Sequence, residues 1–382
     1  MKNIQINHRV AAIRISTCLF FIVAIFMTIP LWRSGRLFPL CPISDLIPPF
    51  HPGLDALVIT LIVIALVLGM IFHSRLIFGI ILFMILFMFI QDQMRWQPWA
   101  YLYFSMLIPF VVKKHDAGFI NYLQILLVGL YLWGGLHKFS PDFINGTFTD
   151  ILKRLFGIDN QETIASLYYV GYLIPLIEVS IALALIFPKS RKIGVIGAIS
   201  MHVFILIYLI KIDYNYVVYP WNTGMIIFVI ALFYKNPSSL KIWRGFPLRI
   251  RILNLLACIF FLVAPILSSF NLWDHYLSLR LYSGKTNLFY VVIDESELDK
   301  IDSEFQHYLW KSKRLESGKL ISLNKWSMGE LNVPFYPETR VFKQVAKSFC
   351  ELGIEQDKLT FIEINRSLDN DSKVSFKCGD LK

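Results

Sequence analysis

Charge is scarce in this sequence of 382 residues: only 17% are charged, whereas about a quarter is usual in a soluble domain. This scarcity argues against an ordinary cytosolic enzyme. Glycine and proline are also few, at 20 and 17 residues against 32 phenylalanines, which excludes a collagen-like or disordered chain. Hydrophobic side chains, in contrast, make up 56% of the chain. The composition therefore indicates a membrane protein.

The formal charge of +10 is unevenly distributed along the chain. Residues 1–273 carry 21 basic and 10 acidic side chains, whereas residues 274–382 carry 16 and 17. A basic excess that is confined to the apolar part points to membrane topology rather than to nucleic-acid binding. We therefore predict a transmembrane domain over 1–273 in the lipid bilayer, a soluble tail over 274–382 and no nucleic-acid partner.

Apolar runs of about 20 residues, the length that a helix needs to cross a bilayer, recur in the first part of the chain. The predicted fold is an all-α polytopic membrane domain of about nine transmembrane helices, followed by a small extracytoplasmic α+β domain. The nine predicted spans are 11–32, 55–73, 75–92, 96–113, 117–137, 163–187, 192–211, 214–234 and 250–273.

The distribution of lysine and arginine predicts the orientation of these spans. With a cytoplasmic N-terminus, the inner segments hold 14 basic residues and the outer segments hold 7. An odd number of spans then places the tail outside, and one miscounted span would move it to the other face. We predict a multi-pass protein of the cell membrane with a cytoplasmic N-terminus and an extracytoplasmic tail.

The tail has the residue alternation and periodicity of a compact α+β unit. We predict strands over 288–293, 358–364 and 374–378, and helices over 296–310 and 339–352. Cys350 and Cys378 would lie in an oxidising space, where a disulfide between them is expected. The tail is also the predicted binding module for a peptide or protein partner. No cysteine or histidine spacing in the sequence resembles a zinc or haem site.

Ionisable residues in apolar spans are costly, so each one calls for an explanation. Lys138 follows the pair Gly134 and Gly135 at the outer end of the fifth span. If burial withholds its amine from water, Lys138 can act as a base. The alternative is a lysine whose head reaches the headgroup region. The two glycines allow either a flat ligand or another backbone to approach closely.

Two further polar residues, Glu178 and His202, lie within the sixth and seventh spans. A buried carboxylate must be protonated or paired, and histidine or lysine is the expected partner. His202 is either a hydrogen-bonded packing residue or a catalytic one. Trp99 and Tyr103, in the fourth span, can line a cavity for a flat apolar ligand or anchor the membrane interface.

The stretch YLWGGLHKFSPDFING, residues 131–146, resembles a signature of the vitamin K-dependent gamma-carboxylase membrane domain, which is shared with the bacterial HTTM proteins. The resemblance implies that Lys138 deprotonates a reduced, vitamin K-like quinone beside Gly134 and Gly135. It also implies polar site positions for Glu178 and His202. Two features depart from the carboxylases: Trp99 stands where they have a functional histidine, and their large lumenal region has no counterpart here.

Two main functions follow from these observations. The first is an integral-membrane enzyme with carboxylase-like lyase or oxygenase chemistry on a lipid-soluble substrate at the outer leaflet. The second is a non-catalytic component for the maturation, export or immunity of a secreted peptide. A transporter with a proton relay is disfavoured because the sequence has no inverted repeat. For the enzyme, the predicted catalytic residues are Lys138, Glu178 and His202, and the predicted quinone-binding residues are Gly134, Gly135, Trp99 and Tyr103.

Overall fold

A computed structural model describes residues 2–44, 46–48, 50–112, 116–236, 240–241, 245–280, 282–301, 303–311, 318–366 and 371–381. Two compact units are formed by the chain. Unit 1 comprises Met1–Met27, Leu57–Leu86 and Pro98–Gly284, and unit 2 comprises Thr28–Ala56, Phe87–Gln97 and Lys285–Lys382. Unit 2 thus combines the last part of the chain with two earlier segments, Thr28–Ala56 and Phe87–Gln97, each of which lies between two apolar helices in the sequence. The predicted division of membrane and soluble parts at 273/274 stays a prediction.

The described residues form twelve α-helices of eight residues or more. A π-helical turn, Ile259–Val263, and a 3-10 turn, Ala264–Phe270, continue the tenth of them. Shorter helices are Ile29–Trp32, Pro141–Phe143 and Gln161–Ser166. The twelve are α1 (Lys2–Met27), α2 (Pro52–Ile71), α3 (Arg75–Gln91), α4 (Pro98–Leu107), α5 (Asp116–Leu136), α6 (Thr149–Phe156), α7 (Leu173–Ile186), α8 (Arg191–Ile212), α9 (Val218–Phe233), α10 (Leu248–Cys258), α11 (Leu323–Leu331) and α12 (Thr339–Cys350).

The predicted count of nine spans is not confirmed. In the described part of the chain, three of the predicted spans are apolar helices too short to count as candidate spans: α3, Pro98–Val111 and α9. The second of these ends as a 3-10 turn at Pro109, which has no N–H to continue an α-helix. Asp213 and Asn215 adopt left-handed backbone conformations, so α9 begins later than hydropathy predicts. Six helical stretches are long and apolar enough: Ile6–Met27, Gly53–Ile71, Ala117–Leu136, Tyr168–Ile186, Arg191–Ile212 and Leu248–Phe270.

Within unit 1, four helices, namely α5, α7, α8 and α9, pack in a series that places the candidate site. Helix α5 packs against α7, α7 packs against α8, and α8 packs against α9. Because each helix is apolar around most of its circumference, a polar side chain on a contact face must find its partner on a neighbouring helix.

Unit 2 contains a five-stranded antiparallel sheet in the order β2-β3-β1-β4-β5. Alternate residues of the central strand β1 are buried, as the period of two in its sequence requires. Phe289 of β1 contacts Phe342 of α12, with ring centroids 4.7 Å apart. The strands are β1 (Leu288–Ile293), β2 (Leu309–Trp310), β3 (Lys319–Ser322), β4 (Leu359–Arg366) and β5 (Asp371–Phe376).

The predicted strand at 288–293, helix at 339–352 and disulfide are confirmed, the last by the Cys350–Cys378 bond. The predicted helix at 296–310 is wrong. This segment, in which residue 302 lies outside the described residues, forms two 3-10 turns and β2. Asp294 accepts a hydrogen bond from the Ser296 N–H, and Ile301 is extended, so the local hydrogen bonds compete with a continuous helix.

A buried charge network connects the two early segments of unit 2. Arg36 lies 2.7 Å from Asp92, and Arg95 lies 3.6 Å from the same carboxylate. Arg95 also donates to the carbonyl oxygens of Leu31 and Trp32. These hydrogen bonds compensate for the desolvation of the charges, which otherwise makes a buried ion pair costly.

Candidate functional site

One face of α5 and the turn after it carries the residues that the sequence singles out. Tyr131, Gly134, Gly135 and Lys138 have relative positions i, i+3, i+4 and i+7, which share one side of a helix. Lys138 lies just beyond the end of α5, where its backbone N–H still donates to the Gly135 carbonyl oxygen at 2.9 Å. The chain therefore presents the lysine on the same side as Tyr131.

Lys138 forms an ion pair with Glu178 of α7. The Lys138 ammonium Nζ donates to Glu178 Oε2, and the two side chains are only 16% and 8% exposed. The expected lysine partner of the buried carboxylate is thus present.

The glycine pair lets α7 approach α5 closely. A Cβ on Gly134 would lie 2.6 Å from Glu178 Oε1, and a Cβ on Gly135 would lie 2.7 Å from Val179 Cγ2 and 3.0 Å from the Pro175 carbonyl oxygen. Such distances are below van der Waals contact. Of the two interpretations of these glycines, the geometry supports backbone approach, because α7 fills the side on which a flat ligand would lie.

His202 of α8 lies between two polar groups. Its Nε2 atom is 2.9 Å from the Tyr131 hydroxyl of α5, and its Nδ1 atom is 2.8 Å from Asn222 Oδ1 of α9. The Asn222 Nδ2 group donates to the Val218 carbonyl oxygen at 2.8 Å. His202 is 3% exposed, and these two contacts give each ring nitrogen a hydrogen-bond partner.

Lys138, Glu178, Tyr131, His202 and Asn222 form one buried polar group, which we call the Lys138 cluster. Tyr131 joins its two halves, because it lies on the same side of α5 as Lys138 and contacts His202 of α8. Sequence reasoning missed Tyr131 and Asn222 as site residues. Two signals were available: Tyr131 precedes Lys138 by two helical turns, and Asn222 is an amide in an apolar helix.

Trp99 and Tyr103 lie apart in the core around α4. Phe21 of α1 contacts both rings, with centroids 6.3 Å from Trp99 and 5.2 Å from Tyr103, and Trp221 contacts Tyr103 at 5.0 Å. Both side chains are buried, which excludes an anchoring role at the surface of the unit. Among the residues that the structure describes, none forms a hydrogen bond with the buried Tyr103 hydroxyl, and such a donor would suit an acceptor oxygen of a ligand.

Residues 116–220 match the family model of the Methylamine utilisation protein MauE. This range contains α5 to α8 and therefore Lys138, Glu178 and His202. No curated protein and no solved structure matches the chain.

The predicted relation to the HTTM family is wrong, because the matching family is MauE. The stretch 131–146 is short, and its residues Gly134, Gly135 and Lys138 are accounted for by the close packing of α5 on α7 and the ion pair with Glu178. The roles that the HTTM resemblance implied for these residues lose that support. The chain is a multi-pass integral membrane protein that is similar to MauE over less than a third of its length.

Proposed function

We propose that this chain is a non-catalytic accessory component of the cell membrane that supports the maturation or export of a secreted peptide or protein. The observation that carries this proposal is the match to MauE, an accessory membrane protein, over the helices that hold Lys138 and Glu178. In this role the Lys138 cluster maintains the packing of the helices, and unit 2 binds the partner.

The geometry of the ion pair supports a structural role. Glu178 holds the Lys138 ammonium, and the two glycines that precede the lysine are covered by α7. The pair therefore links the end of α5 to α7 beside the two glycines at which the helices pack closely. If the ion pair serves packing in this way, Lys138 and Glu178 can be replaced by apolar residues of similar volume, provided that both charges are removed together.

The disulfide supports an extracytoplasmic position for the last part of the chain. A Cys350–Cys378 bond persists in an oxidising compartment and is rare in the cytosol. With a cytoplasmic N-terminus, this position requires an odd number of crossings, so an odd number of the three shorter apolar helices must also cross.

Labelling of intact cells with a membrane-impermeant maleimide tests this topology. Lys325→Cys places a thiol on an exposed position of α11 in unit 2. We expect labelling of the variant without permeabilisation, with the unmodified chain as control, since its three free cysteines are buried. Labelling that requires permeabilisation would place unit 2 in the cytoplasm and contradict the proposed export role.

Deletion of the gene tests the accessory role. We expect mass spectrometry of the exported fraction to show the loss, or the accumulation as precursor, of one or a few secreted proteins. Expression of the unmodified chain should restore them. An unchanged exported fraction in the deletion strain would overturn the proposal.

A second candidate function, acid–base catalysis on a lipid-soluble substrate, is favoured by the burial of the Lys138 and Glu178 side chains. In this function Lys138 passes its proton to Glu178 and accepts one from the substrate. Lipid extraction of the purified protein followed by mass spectrometry tests for the predicted reduced quinone, which should co-purify with the unmodified chain. A lipid extract without quinone would contradict this second function.

A further inference from the structure

Asn222 determines which nitrogen of His202 carries the proton. The Val218 carbonyl oxygen can only accept, so the Asn222 atom that faces it at 2.8 Å must be the NH2 group. The Asn222 carbonyl oxygen Oδ1 therefore faces His202 Nδ1 at 2.8 Å. Because Oδ1 is also only an acceptor, Nδ1 must bear the hydrogen.

The other ring nitrogen then accepts the proton of Tyr131. A cationic imidazole in an apolar helix bundle would require desolvation of its charge, and the Lys138 ammonium adds repulsion. In the neutral ring with a hydrogen on Nδ1, Nε2 has a lone pair. The Tyr131 hydroxyl, 2.9 Å away, is thus the donor to Nε2.

We propose that Asn222 and His202 are positioning residues that hold the Tyr131 hydroxyl proton toward α8. Tyr131 then presents only oxygen lone pairs to its other neighbours. The orientation of one amide on α9 is in this way transmitted through His202 to the hydroxyl of Tyr131 on α5.

Nitrogen NMR of the full-length protein in detergent micelles, with 15N-labelled histidine, tests the proposal. The His202 signals are assigned by their loss in His202→Gln. We expect a protonated Nδ1 and an unprotonated, hydrogen-bonded Nε2. A protonated Nε2, or a ring protonated on both nitrogens at neutral pH, would overturn the proposal. The readout needs neither a partner nor a substrate, so its failure is separate from a failure of either proposed function.

Two variants separate positioning from general packing. Asn222→Leu should move the His202 hydrogen from Nδ1 to Nε2, whereas Asn254→Leu, which replaces another buried asparagine of unit 1, should leave the His202 signals unchanged. Tyr131→Phe should keep Nδ1 protonated and shift only the Nε2 signal. If Asn222→Leu does not fold, Tyr131→Phe decides: an unaltered Nε2 signal in that variant would refute the Tyr131 hydrogen bond.

Discussion

Removal of either partner from the Lys138–Glu178 pair should destabilise the protein unequally. Lys138→Met leaves the Glu178 carboxylate, 8% exposed, without its cation, and breaking a buried pair in this way costs about 3 kcal/mol. Glu178→Gln leaves an ammonium that is 16% exposed at a helix end and can turn toward water, which costs about 1 kcal/mol. The double variant should lose well under the sum, with a coupling of about 2 kcal/mol.

Equilibrium unfolding of the four proteins in the same detergent measures this double-mutant cycle. Lys192→Met, at an exposed position near the start of α8, is the matched control and should change the unfolding free energy by less than about 0.5 kcal/mol. Additive losses in the double variant would refute the ion pair. A larger loss for Glu178→Gln than for Lys138→Met would refute the argument from burial.

Three further changes test the packing and the electrostatics. Gly135→Ala should destabilise by about 2 kcal/mol, because its Cβ meets α7, whereas Gly79→Ala, with open space around it, should cost nothing; thermal unfolding compares them. Cys350→Ser should lower the protection of α12 amides in hydrogen exchange by roughly 3 kcal/mol, since the Cys350–Cys378 bond no longer restricts the unfolded chain. Burial raises the pKa of Glu363 in β4, so its contribution to stability is complete below the unfolded pKa and is lost as the pH rises through the folded value. Protection of the β4 amides from hydrogen exchange should therefore weaken above about pH 4 in the native chain and less so in Glu363→Gln.

Local patterns in the sequence predicted much of the architecture. The alternation in β1 and the periodicity of α12 predict these elements because each has one buried face. The long spans follow from hydropathy in the same way. The pairing of Glu178 with a lysine could also be predicted, since a carboxylate in an apolar span requires a partner.

The remaining features depend on contacts between distant residues. An early segment of the chain belongs to unit 2 through contacts such as that of Phe38 with Trp326, whose ring centroids lie 4.3 Å apart. Nothing in the sequence near either residue predicts this contact. The function of Gly134 could not be decided before its neighbour in α7 was known. The shortening of α9 depends on backbone conformations at Asp213 and Asn215 that hydropathy does not report.

Complementation of the deletion strain with Lys138→Met/Glu178→Met tests the accessory role most directly. This double variant removes both charges and keeps the side-chain volume, so the structural account predicts that it restores the exported proteins as the unmodified chain does, whereas Lys138→Met alone restores them poorly. Protein levels in the membrane fraction serve as the control for folding. If the double variant reaches normal levels in the membrane but restores nothing, the charges themselves perform the chemistry and the accessory account is wrong.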